Sequence, residues 1–178
     1  MAWVVQTFPE AVVDFYSSIQ NAISWSSNSD YYVLINRFGK EGFNSWTAQL
    51  GSPDIVLSDG SFGAISCRNF TRLWLNIYDY LMSGDESADT IMEFYNGTEE
   101  SCIYETLGDE YMVYSKARWY FEGEDSYYTV QNDAGIVMKG MNSYILTILS
   151  DAYERLDLLD SVVEAMDQAH TELVEQTA

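Results

Sequence analysis

Twenty-eight carboxylates, eight lysines and arginines and one histidine are what this sequence offers to chemistry. The single histidine, His170, excludes a Ser-His-Asp triad, an HExxH zinc site and any site built on several imidazoles. It reads as a surface helix residue. Cys67 and Cys102 are far apart and form no CxxC, which points to free buried thiols rather than a disulfide or a zinc site. "GKEG" around Lys40 lacks the spacing and the Ser/Thr of a phosphate loop, and no GxGxxG occurs, so nucleotide chemistry is unsupported. Two carboxylates suffice for acid–base hydrolysis. With 28 of them, however, neighbours such as Glu99–Glu100 and Asp109–Glu110 arise by chance and identify nothing. "DESAD" (Asp85, Ser87, Asp89) imitates the first ligands of a calcium loop, but Thr90 and Asn96 stand where glycine and glutamate are needed. It reads as a solvated helix start. No catalytic residue, metal or cofactor is expected, and the chain reads as not an enzyme.

Two stretches read instead as surfaces. The first mixes tyrosine and acid over residues 99–128. Tyr104, Tyr111, Tyr114, Trp119, Tyr120, Tyr127 and Tyr128 alternate there with Glu99, Glu100, Glu105, Asp109, Glu110, Glu122, Glu124 and Asp125. Tyr and Trp anchor interfaces at low entropic cost. About half of these aromatics must face a core, which leaves Tyr111, Tyr114, Trp119, Tyr127 and Tyr128 with Glu122, Glu124 and Asp125 as a candidate interaction surface. The second is the C-terminal "SDAYERLDLLDSVVEAMDQAHTELVEQTA". Glu154, Asp157, Asp160, Glu164 and Asp167, with Glu172 and Glu175 beyond, fall away from an apolar stripe, and only Arg155 offers a counter-charge within the stretch. Like charges three and four residues apart cost a few tenths of a kcal/mol each on a helix.

The net charge of −20 excludes a phosphate-binding footprint and disfavours anionic lipid. Residues 90–178 carry most of it: 18 acids and four bases, against 10 and four in residues 1–89. Solubility, adaptation to high salt, and a specific role in repelling or imitating DNA all account for such a balance. The first residues lack a basic n-region and a long apolar h-region, and no 18-residue apolar run exists. An intracellular protein, or one built into a particle, is expected rather than one exported by a signal peptide. The sequons at Asn69 and Asn96 carry little weight without export.

The elements that must hold these residues follow from periodicity. With 47% apolar and 15% aromatic residues, only two prolines and no linker, residues 1–178 are expected to form a single α+β domain. From Phe8, apolar residues at Val12, Phe15, Tyr16, Ile19, Ala22 and Ile23 predict a helix. "YYVLINRF" (31–38) predicts a short strand, and "GKEGFNSWTAQLGSPD" a loop with a brief helical turn. "DIVLSDGSFGAIS" predicts a hairpin bending at "SDG". Residues 66–82 fit helix or strand, with length favouring helix. "DESADTIMEFY" predicts a helix. Residues 111–121, "SYYTV" and "IVMKG" predict three strands of an antiparallel meander, turning at "GED" and "QNDAG". Residues 142–173 predict a long amphipathic acidic C-terminal helix, or a strand "SYILTILS" feeding a shorter one.

Helices flanking a meander, with a long terminal helix, on a small acidic chain: that order resembles the head–tail connector and tail-terminator subunits of tailed viruses. The resemblance implies a non-catalytic structural or assembly subunit forming an oligomeric ring with an anionic surface. Its partners would be copies of itself and neighbouring assembly proteins, with no direct nucleic-acid binding and no membrane. The alternative is an acidic DNA mimic that inhibits a DNA-binding or restriction-type enzyme.

Overall fold

The computed structural model describes residues 1–58, 64–121 and 129–177. The chain combines helices with an antiparallel sheet, in two compact units, residues 1–95 and 96–178.

The first unit is helical. Where one helix is predicted from Phe8 to Ile23, two short ones form, α2 (Ala11–Asp14) and α3 (Tyr16–Ser24), and an unanticipated α1 (Ala2–Thr7) precedes them. Pro9 lies in the turn after α1, and Phe15, at φ −124°, separates α2 from α3. The strand expected at 31–38 is instead a helix, α4 (Asn28–Phe38). The Ser27 hydroxyl caps it by accepting from the Asp30 amide at 3.3 Å, with Asp30 in its first turn and Arg37 in its last. Only Leu34 and Ile35 are fully buried, flanked by partly buried Tyr31 and Phe38, which is a three-to-four-residue rhythm. A β-rich composition loses here to a cap and that spacing. The brief turn expected near 41 is a full helix, α5 (Glu41–Gln49).

The expected hairpin at 54–66 falls partly on residues 59–63, outside the described residues; no strand forms among its described members. Residues 66–82 resolve as helix, α6 (Cys67–Leu81), capped by Ser66, with Leu73, Trp74, Ile77 and Leu81 buried. The helix predicted at "DESADTIMEFY" is α7 (Glu86–Tyr95). Asp85 directs its carboxylate to the Ser87 amide at 2.8 Å, so "DESAD" serves as a helix start. Trp3 meets Phe8 and Phe43 edge-on, Phe8 leans on Phe38 at 33°, and Trp74 meets Tyr95 with ring centroids 5.4 Å apart.

The second unit opens with a helix that was not anticipated, α8 (Cys102–Leu107), capped by Ser101. The strand expected over 111–121 forms as two, β1 (Met112–Ser115) and β2 (Arg118–Tyr120). "QNDAG" is not a turn. It lies inside β3 (Val130–Met138), the central strand, which pairs with β1 and β2 along one edge and with β4 (Tyr144–Ile148) along the other. Its turn-prone residues are used for tertiary contacts. The Asn132 side chain accepts from the Ser150 amide, Asp133 is buried beneath α8, and Gly135 lets β1 approach. A Cβ at 135 would stand 2.7 Å from the Tyr114 carbonyl oxygen and from Ser115 Cβ. Of the "GED" and "SYYTV" predictions, residues 123–128 lie outside the described residues.

The C-terminal helix, α9 (Leu156–Thr177), is long but interrupted from "SYILTILS", which is β4. Its 22 residues span about 33 Å. It packs with α8 on one face of the sheet, around Cys102, Ile103, Leu107, Val113, Val137, Leu146, Ile148, Leu159 and Val163. The buried line runs through Leu159 and Val163, whereas Met166 and Leu173 are 42% and 62% exposed. Among the described residues no helix is long and apolar enough to cross a membrane.

Candidate functional site

Lysine is scarce in this chain, so the setting of each is informative. Lys40 donates to the Ser58 carbonyl at 3.1 Å, and Lys139 pairs with Asp167 at 2.8 Å. Lys116 differs. It follows Ser115 at the end of β1, where its backbone amide still donates to the Ala134 carbonyl at 2.8 Å. Its Nζ donates to the Ala117 carbonyl at 2.7 Å and lies 5.9 Å from the centroid of Trp119. Burial pulls its amine down to about 8; the charges of Asp133 and Glu99 oppose the fall and Arg118 adds to it.

Behind this strand end lies a closed polar cluster. Asp133 is 1% exposed. Its Oδ2 accepts from the Ser101 hydroxyl at 2.8 Å and the Ile103 amide at 3.0 Å, with the Cys102 Sγ at 3.5 Å. Its Oδ1 has no hydrogen-bond partner among the described residues. Burial raises the carboxyl to about 6, against the donors from Ile103 and Ser101. The Ser101 and Ser115 hydroxyls are 2.6 Å apart. A hydroxyl has one proton. If Ser101 gives its own to ionised Asp133, Ser115 must donate to Ser101. The Thr98 hydroxyl holds the Ser115 carbonyl at 3.0 Å, completing the anchorage of β1. Cys102 is buried against Asp133, and its thiol is held well above its usual range by burial first and that carboxylate second.

A second arrangement lies in the first unit. Ser26 adopts φ +51°, a left-handed conformation unusual for serine, immediately before the Ser27 cap of α4. Ser27 also donates to the Asp30 carboxylate at 2.5 Å, which holds that carboxyl below its ordinary range.

The surfaces expected from sequence are dispersed. Tyr111 and Trp119 are half-buried beside Lys139 and Lys116 respectively, and Tyr114 is half-buried on β1. Glu122, Glu124, Asp125, Tyr127 and Tyr128 lie outside the described residues. On the acidic face, Glu154 precedes α9, at φ +56°. Asp157 is exposed and paired with Arg155 at 2.8 Å, and Glu164 is exposed. Asp160 and Asp167 turn inward. Asp160 accepts from the Thr106 hydroxyl at 3.2 Å; Asp167 binds Lys139 and accepts from the Tyr144 hydroxyl at 2.6 Å. His170 is half-buried rather than a free surface residue: it stacks on Tyr144 with centroids 4.1 Å apart, and its Nδ1 is buried without a partner among the described residues.

Lys116, Asp133, Ser101 and Ser115 were not singled out from sequence. Asp133 is hidden by "QNDAG", a turn signal by composition. The available clue to Lys116 is a lysine, with Arg118 two residues on, inside the aromatic alternation of residues 111–121.

A protein-family model, described as the beta-lactamase enzyme family, matches residues 6–175. The chain belongs to the beta-lactamase enzyme family. Its fold is similar to a class A beta-lactamase from Bacteroides cellulosilyticus, with TM-score 0.68 and 18% identity over 83% of this chain and 60% of that one. It is likewise similar to the TLA-3 extended-spectrum beta-lactamase (TM-score 0.69, 17% identity, 89% of this chain and 64% of that one). A beta-lactamase from Chitinophaga pinensis gives TM-score 0.64 and 17% identity over 79% of this chain and 58% of that one. The chain therefore spans about three-fifths of the length of these solved structures. No curated relative matches it.

These findings overturn the functional reading of the sequence. The chain is not assigned to phage connectors, tail terminators or DNA mimics, and the non-enzyme expectation gives way to membership of an enzyme family. Class A enzymes use S-x-x-K, S-D-N and K-T-G, none of which depends on a histidine, a metal or a nucleotide loop. Against those motifs the sequence offers Ser26-Ser27-Asn28 and Lys116-Ala117-Arg118, and no serine is followed three positions later by lysine.

Proposed function

We propose that the protein acts on β-lactam-type amides, and that Lys116 receives the carboxylate of the ligand. The observation that carries this reading is the half-buried ammonium just past the end of β1, in K-A-R, within a chain that matches the family almost end to end. A partly desolvated cation attracts a carboxylate more strongly than an exposed one does. Ser26, held in its left-handed conformation ahead of α4, is the residue we assign to the first place of S-D-N, with Ser27 retaining only the capping role. Hydrolysis by the whole protein is part of the proposal; carboxylate recognition is the part that these residues carry. We also propose that α9 is amphipathic, its outward acids Asp157, Glu164, Glu172 and Glu175 forming a solvated face.

The test is binding and turnover of a penicillin and a chromogenic cephalosporin by the native protein and by Lys116→Ala. The variant should bind at least about tenfold more weakly, a loss near 1.4 kcal/mol. Native affinity should fall as pH rises through about 8, where the amine loses its charge. A native protein that neither binds nor hydrolyses either compound would sink the reading.

A further inference from the structure

We infer that Asp133 is a positioning residue for Lys116, acting through the Ser101–Ser115 hydroxyl pair and as a buried counter-charge. The inference rests on the role proposed for Lys116, but its geometry stands separately. β3 and α8 enclose the carboxylate completely, and it has one oxygen saturated and one unpartnered. The saturated oxygen begins a chain of contacts that ends at the residue preceding Lys116: Asp133 Oδ2 to Ser101, Ser101 to Ser115. The same Ser101 hydroxyl accepts from the Tyr104 amide, so the cap of α8 and the end of β1 share one atom.

A carboxylate buried only to cap a helix is wasteful, because the Ser101 hydroxyl already does so and burying a charge is costly without compensation. What the carboxylate adds is direction and charge. Ionised, it is an acceptor only, and it orients both hydroxyls so that Ser115 donates toward α8. Protonated, it can donate to Ser101, and the two hydroxyls are free to reverse. The groups whose charge acts on the Lys116 amine are Asp133 on β3, Arg118 on β2 and Glu99 before α8, with the Trp119 ring beneath it. Around Asp133 itself stand Ser101, the Cys102 thiol and the backbone amides of Ile103 and Ala134. Of the two acids acting on the amine, Asp133 exerts the larger effect.

The chain has only three lysines, so lysine-selective 13Cε NMR resolves each, with Lys40→Arg and Lys139→Arg giving the assignment. In the native protein the Lys116 resonance should titrate with a midpoint near 8 and show a smaller step near pH 6, where Asp133 ionises. In Asp133→Asn the step should vanish and the midpoint fall by about half a unit or more. A folded Asp133→Asn protein that keeps both features overturns the inference. If that variant does not fold, the absence of the step in the native protein overturns it equally. Ser115→Ala keeps the carboxylate and cuts the hydroxyl link. It should leave the Lys116 midpoint in place while weakening penicillin binding several-fold, and unchanged binding would overturn the positioning role. Failure of the native protein to bind penicillin tells against the β-lactam reading alone, because the lysine titration is read without ligand.

Discussion

Asp133 gives the molecule a pH dependence whose sign is opposite to that of an ordinary salt-bridged aspartate. Its carboxyl is raised to about 6 in the folded chain from an ordinary value of 3.8, chiefly by burial. The folded state therefore holds a proton that the unfolded state has released between those values, and stability falls as pH rises from about 4 through 6. Two units correspond to at most about 3 kcal/mol. Chemical denaturation of the native protein and Asp133→Asn across that window should show the native protein losing stability relative to the variant as pH rises. Parallel curves would contradict it. None of this was legible in the sequence, because the same five letters that bury Asp133 spell a turn. A local rule reads "QNDAG" by propensity, whereas β1, β4 and α8 read it by what each side chain can reach.

Elements were legible where burial and local preference agree. α7 follows from apolar spacing and α6 from length where spacing left helix and strand open, alternation marked β1 and β2 as one strand, and β4 feeding α9 was one of two readings left open. α4 was not legible: its tyrosines, valine and isoleucine favour a strand, and its helical rhythm appears only once Ser27 is recognised as a cap. The sheet has its own point of control at Gly135. Substituting alanine there sets a Cβ against the backbone of β1, at 2.7 Å from the Tyr114 carbonyl oxygen. Neither strand can yield without breaking its register, Tyr114 with Ile136 and Ser115 with Gly135. Gly135→Ala should cost about 1–3 kcal/mol, as overpacking does, measured as a lower midpoint in urea with the slope unchanged. Since the displaced strand leads directly into Lys116, ligand affinity should fall with it.

At the scale of the whole molecule, the dominant quantity is a net charge of −20, which the sequence states outright but does not explain. It led to rings and DNA mimicry because charge describes a protein's surroundings rather than its reaction. Inside the molecule part of it is neutralised locally, Asp167 by Lys139 and Asp157 by Arg155. The remainder repels itself. Raising sodium chloride from 0.05 to about 0.5 M shortens the screening length from roughly 14 to 4 Å, and should raise the unfolding temperature by a few degrees. A temperature independent of salt would show that the acids lie too far apart to matter. The two cysteines divide by setting in a way that makes time, rather than energy, the measured quantity. Cys67 is exposed at the start of α6, while Cys102 is sealed in the core of the second unit. A thiol reagent in excess modifies the first at once and the second only when that core opens, so the slow phase of labelling is a clock for the breathing of the fold around Asp133.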